Sequence, residues 1–187
     1  MSKGRLEAFS DGVFAIAITL LVLEIPVPPT EEGKSLAHAL LDRWPSYAGF
    51  VISFVTIGII WVNHHAVIAR VQSVDRTLLF KNLLLLLTVS FIPFPTAVMA
   101  EFLRSANGQD VAVAFYSASF CVMGIAFRQL WTPAARNWVS RIGPTMYLIA
   151  AGVAFLNAYV ALGICAGLAL YYSLPISIEQ QLSQSSS

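Results

Sequence analysis

Long apolar runs, broken by charges and prolines, organise this chain from its first turn. Crossing about 30 Å of hydrocarbon takes roughly 20 apolar helical residues. Four stretches of that order stand out: Leu6 to Ile25, Pro45 to Ile68, Thr77 to Ala100 and Val111 to Trp131. A fifth region, Gly143 to Ile176, has 34 residues without a charge, too long for one span and barely long enough for two at about 1.5 Å per residue. Asn157, the only strongly polar residue near its middle, marks the expected turn between two short helices. One tilted helix with an interfacial extension is the alternative, with five spans instead of six. The pattern therefore predicts an all-α, polytopic membrane protein with six transmembrane helices, residues 1–178 forming one transmembrane domain. Pro26, Pro28 and Pro29 end the first span, and Thr30 to Trp44 has room for a short interfacial helix. Pro93 and Pro95 interrupt the third span towards its far end. The tail 179–187 is mostly Gln and Ser with no apolar face, so disorder is expected there.

Composition agrees with that pattern. The 187 residues are 57% hydrophobic and only 11% charged, against about 25% charged in an ordinary soluble domain. The formal net charge of +1 leaves no basic surface to hold nucleic acid. The placement of the charges is more informative than their number, because short cytoplasmic loops collect Lys and Arg. With six spans, one side holds Lys3, Arg5, Arg70, Arg76, Lys81, Arg128, Arg136 and Arg141, and the other only Lys34, Arg43 and Arg104. Both termini are thus expected in the cytoplasm. The opposite rim carries Glu24, Glu31, Glu32, Asp42, Glu101 and Asp110; it either concentrates cations or simply keeps the loops soluble. Lys3 and Arg5 precede the first apolar run, but no small-residue cleavage site follows, so the run is expected to stay in the mature chain. Cys121 and Cys165 lie inside apolar runs, where thiols act as small hydrophobes and form no disulfide framework.

The start of the first span is unusually polar. From Gly12 to Ile25 is 14 residues, about 21 Å of helix, so a spanning helix must begin near Arg5 and carry Ser10 and Asp11 into the membrane boundary. An ionisable residue there costs roughly 2.5 to 3.5 kcal/mol on insertion scales and points to function. The alternative is that Ser10 and Asp11 cap a helix beginning at Gly12. Arg5 and Phe9 share a helical face, whereas Arg5 and Asp11 diverge by about 120°, so Asp11 needs a partner from another helix. Trp61 and His64, three apart near the end of the second span, sit at the matching depth if that span runs antiparallel. Adjacent His64 and His65 diverge by about 100° and suit metal ligation poorly. A hydrogen-bonded cluster is the expectation. Beyond Gly12 the helix is apolar except for Thr19, and Ile16, Leu20 and Leu23 form one stripe. Periodicity alone assigns that stripe to ordinary helix packing.

The run Arg5-Leu6-Glu7-Ala8-Phe9-Ser10-Asp11-Gly12, continued by Val13-Phe14-Ala15-Ile16-Ala17-Ile18-Thr19, closely resembles the signature of bacterial relatives of transmembrane protein 175, the endolysosomal potassium channel. The Trp61 to His64 spacing is similar to that family's second helix, and Asn82 with Pro93 to its third. The Arg-x-x-x-Phe-Ser-Asp element is the specific part. The resemblance implies a homotetramer in the cell membrane, with six helices per chain and four first helices around a central pore for potassium and other monovalent cations. It implies a hydrophobic constriction at Ile16, with Leu20 and Leu23 as further apolar layers. It also links Thr19 to cation preference and makes Arg5, Phe9, Ser10, Asp11, Trp61 and His64 a structural polar network. No cofactor or metal is implied.

Three other functions compete. A secondary transporter usually shows inverted repeats and helices broken at mid-membrane, and the first span reads as unbroken from Arg5 to Ile25. A membrane enzyme would need a substrate pocket and oxyanion donors around Ser10, Asp11 and His64, for which the sequence offers nothing. A proton-permeable pathway through His64 and Asp11 remains open, since proton relays use such side chains.

Overall fold

The computed structural model describes residues 2–28, 35–130 and 139–173, and their regular elements are all helical. Helix α1 spans Lys3–Leu20, with Ser2 in extended conformation at its N-cap. Ser10 and Asp11 therefore lie inside the helix and do not cap it. The backbone then tightens into a 3-10 turn over Leu21–Glu24 before Ile25 becomes extended. The expectation of one unbroken helix to Ile25 is corrected at this point. Tightening of a last turn satisfies otherwise orphaned carbonyls, and Pro26 beyond it cannot extend the ladder.

A short α2 (Leu36–Leu41) occupies part of the loop reserved for an interfacial helix, capped by the Ser35 hydroxyl accepting from the His38 amide at 3.3 Å. Glu31, Glu32 and Lys34, together with Arg136 and the tail 179–187, lie outside the described residues. Helix α3 (Trp44–Ala69) opens with Pro45 in its first turn, where a missing N–H costs nothing. Helix α4 (Arg76–Phe91) is capped by the Asp75 carboxylate, which accepts from the Leu78 amide at 2.7 Å. Pro93 and Pro95 bring no donors, so the ladder breaks at Ile92 and restarts as α5 (Pro93–Phe102). Helix α6 (Gln109–Arg128) is entered through Gly108 at φ 90°, a left-handed conformation natural only to glycine.

The charge-free region folds as two helices, α7 (Val139–Ala154) and α8 (Ala158–Ser173). Asn157 makes the turn between them, its side-chain oxygen accepting from the Val160 amide at 3.1 Å. Helix α7 begins ahead of the expected Gly143 and takes in Arg141. Among the described residues four helical stretches are long and apolar enough to cross a membrane: Lys3–Glu24, Trp44–Ala69, Arg76–Phe102 and Gln109–Arg128. Helices α7 and α8 are apolar but shorter.

Side-chain links show that the connections alternate between two ends. At one, Lys3 Nζ donates to the Ala69 carbonyl at 2.6 Å, joining the start of α1 to the close of α3. At the other, Arg104 pairs with Asp42 at 3.4 Å, and Tyr159 donates to the Leu103 carbonyl while its ring stacks 6.5 Å from Trp44. The core gathers around α6: Tyr116 meets Phe120 edge-on at 4.8 Å, and Phe120 meets Tyr147 at 5.2 Å. Ser53 joins Thr96 at 2.8 Å and Tyr116 at 3.0 Å, so buried hydroxyls tie α3, α5 and α6 together. Pro144 is accommodated inside α7 by Gly124 opposite, where a Cβ would lie 2.9 Å from the proline ring.

Candidate functional site

Helix α1 has two faces. Leu6, Ser10, Phe14 and Ala17, continued by Leu21 in the 3-10 turn, recur every three or four residues and are buried, α1 packing on α3 and α4 and the turn on α3 and α5. Roughly 120° around the helix lies the other stripe, Ile16 at 61% exposure, Leu20 at 41% and Leu23 at 73%. Among the described residues this stripe is left largely uncovered. Thr19 is exposed beside it, and its hydroxyl hydrogen is directed at the carbonyls of its own helix, Ala15 at 2.9 Å and Ile16 at 3.0 Å. The oxygen lone pairs are left to face outward.

The buried face is fixed by polar contacts near the start of the helix. Trp61 Nε1 donates to Asp11 Oδ1 at 2.8 Å, the partner from a second helix that Asp11 required. A second, fully buried chain runs alongside. Asn82 Nδ2 donates to Ser10 Oγ at 3.0 Å, and Ser10 passes its own hydrogen to the Leu6 carbonyl at 2.9 Å. Asn82 Oδ1 lies 2.8 Å from His64 Nε2. An amide oxygen only accepts, so Nε2 carries the imidazole hydrogen. The Phe14 ring is tilted over His64 at 5.4 Å between centroids. One asparagine thus joins α1, α3 and α4. Each of these polar groups has its partner, as burial demands.

The two contact sets are separate: Asp11 binds Trp61, and His64 binds Asn82. Arg5 and Phe9 are exposed, on the side of the helix that carries Ile16, and Arg5 makes no hydrogen bond or ion pair with another described residue. Asn82 is the site residue that sequence reasoning left out of the network, though the family resemblance had drawn attention to it. An amide amid the leucines of α4 was the available signal. Among the described residues no three metal-ligating side chains gather together.

Comparison with known proteins places these elements. The family described as endosomal/lysosomal potassium channel TMEM175 matches residues 5–93, the segment that contains α1, α3 and α4. A potassium channel of Streptomyces collinus is 47% identical, with 91% of each chain covered. The crystal structure of a lysosomal potassium-selective channel TMEM175 homolog from Chamaesiphon minutus superposes with a TM-score of 0.86 at 43% identity, covering 91% of this chain and 96% of that one. The endosomal/lysosomal proton channel TMEM175 of Gallus gallus is 32% identical over 92% of this chain, which corresponds to 36% of that longer protein. A specific signature at the head of α1, kinship along nearly the whole chain and a shared fold have one reading: the chain belongs to the TMEM175 potassium channel family.

Proposed function

We propose that this protein is a potassium-selective cation channel of the cell membrane. In this reading each chain spans the membrane six times with both termini cytoplasmic, and four copies of α1 surround the pore of a homotetramer. The observation that carries it is the exposed stripe of Ile16, Leu20 and Leu23 on a helix whose opposite face is held by buried hydrogen bonds. Rings of such residues gate by dewetting, because water leaves a narrow passage whose wall offers it no hydrogen bonds. A slight widening or rotation of α1 wets the passage and opens it. Thr19 then presents oxygen lone pairs that partly replace an ion's hydration shell, and potassium sheds its water more readily than sodium. Asp11, Ser10, Trp61, His64 and Asn82 position the gate helix and do not coordinate the ion.

Planar-bilayer recording tests this reading. Ile16→Asn should raise the current at least about tenfold, a barrier drop of about 1.4 kcal/mol, and should relax the preference for potassium over sodium. An unchanged current and reversal potential would remove Ile16 from the gate. Kinship with the Gallus gallus proton channel favours proton permeation as a second reading, with His64 and Asp11 as its relay. A reversal potential that follows a pH gradient instead of a potassium gradient would select it.

A further inference from the structure

Pro93 and Pro95 have no N–H to give, so the carbonyls of Val89 and Phe91 lose the donors that an unbroken helix would supply. The Ile92 amide donates to the Val89 carbonyl at 3.2 Å instead, and α5 starts from there. A helix interrupted by proline is free to bend unless something else fixes it. Three hydroxyls meet at this junction. The Thr96 hydroxyl donates to the Ile92 carbonyl at 2.8 Å. A carbonyl only accepts and a hydroxyl has one hydrogen. Ser53 therefore donates to Thr96 across 2.8 Å, and Tyr116 donates to Ser53 across 3.0 Å. The chain of hydrogen bonds runs one way, from Tyr116 in α6 through Ser53 in α3 and Thr96 in α5 to the carbonyl at the junction. All three side chains are buried, with at most 2% exposure. One turn along α3 from Ser53, Gly49 lets α5 come close: a Cβ there would lie 2.7 Å from Met99 Cε and 3.2 Å from Thr96 Cγ2.

From this junction α5 leads to the far end of α1, where it and α3 pack on the 3-10 turn. Leu21 in that turn is fully buried, and Leu23, two residues on, ends the exposed stripe. The start of α1 is held by different contacts, those of Asp11 with Trp61 and of Ser10 with Asn82. The helix thus has two separate supports, hydrogen bonds at its start and packing on α3 and α5 at its far end. We propose that Ser53, Thr96 and Tyr116 are positioning residues for the far end of α1. By fixing the direction of α5 at Ile92 they fix where the 3-10 turn is held, and Leu23 with it. The link to current rests on the channel reading given above; the link to the turn does not.

Hydrogen–deuterium exchange of the purified full chain in detergent, read peptide by peptide in a mass spectrometer, tests the link to the turn. Thr96→Val keeps the side-chain shape and removes the hydroxyl. Exchange over Leu21–Ile25 and over α5 should quicken about tenfold, as expected for a buried hydrogen bond lost at the junction, while exchange over Leu6–Phe14 should not change. Thr96→Ser, which keeps the hydroxyl, should exchange like the unaltered protein. Ser53→Ala should act less than Thr96→Val, and Tyr116→Phe least, because each lies further from the Ile92 carbonyl along the chain. Should Thr96→Val not fold, Ser53→Ala provides the same comparison of the two ends of α1. Quickening throughout the molecule, no quickening at the turn, or Thr96→Ser as damaging as Thr96→Val would overturn the proposal. So would Tyr116→Phe acting more strongly than Thr96→Val. In planar bilayers Thr96→Val should alter open probability, and its effect should depart from a simple product with that of Leu23→Ala by at least about threefold, since both act at one end. With Trp61→Phe, at the other support, the effects should multiply. Simple products in both pairs would defeat the link to Leu23. Local quickening at the turn in a protein that passes no current would stand for the positioning role and count against the channel reading.

Discussion

Helices α1 and α6 are about equally apolar, yet the chain treats them differently. In the apolar stretch of α6, 50% of the positions are buried, against 28% in that of α1. Helix α6 holds Tyr116, Phe120 and Met123 in the interior and is covered by α5, α7 and α8. Helix α1 gives one narrow face to α3 and α4, anchors it with hydrogen bonds, and leaves the rest open. Hydrophobicity alone therefore does not distinguish a helix that builds the bundle from one that works at its edge. In α1 the polar contacts do what apolar coverage does in α6, and they cluster at one end. The remainder of α1 leaves more of its surface uncovered, which suits the gate proposed above.

Substitutions can break or sharpen this contrast. Tyr116→Ala in α6 should cost the most, about 3 to 5 kcal/mol for a large aromatic removed from a packed core, read as thermal unfolding in detergent. Ile16→Ala in α1 should change the same measurement by no more than about 0.5 kcal/mol, as at an unpacked surface; a comparable loss would show the stripe to be core. Asn82→Leu should come next, at about 2 kcal/mol, because it leaves Ser10 and His64 without their shared partner, and it should also impair opening. Trp61→Phe keeps the ring and removes only the N–H given to Asp11. That pair reaches solvent, so about 1 kcal/mol is expected, with altered open probability. If Trp61→Phe were as damaging as Asn82→Leu, the Asp11 contact and not the buried one would be the main anchor.

Much of this contrast was legible in the sequence. The four long apolar helices follow from hydropathy, and the turn at Asn157 from one polar residue in a charge-free run. The link between Asp11 and Trp61 follows from helix length and an antiparallel neighbour. What escaped depends on register between helices. Asn82 meets Ser10 across 72 positions of sequence, and nothing local announces which face of α4 it occupies. The hydroxyls of Ser53, Thr96 and Tyr116 escaped for another reason: they are weakly polar residues inside apolar runs, where averaging hides them. Arg5 and Phe9 belong to the recognisable signature, yet within one chain they reach no partner in the buried chain of contacts. A motif in sequence need not be one cluster in a single chain.

The turn at Asn157 has a mechanical consequence. Helices α7 and α8 have 16 residues each, about 24 Å, short of the roughly 30 Å of a typical hydrocarbon core. Phe155 and Leu156, both well exposed at the turn, are then drawn below the lipid headgroups instead of standing above them. If the chain crosses six times as proposed, this hairpin imposes hydrophobic mismatch on one flank of the bundle, and the surrounding leaflet must thin to meet it. Acyl-chain length thereby becomes a load on the bundle, applied through α6 and the helices it packs against. In the proposed channel, the membrane's thickness would thus enter the energetics of a gate that it does not touch.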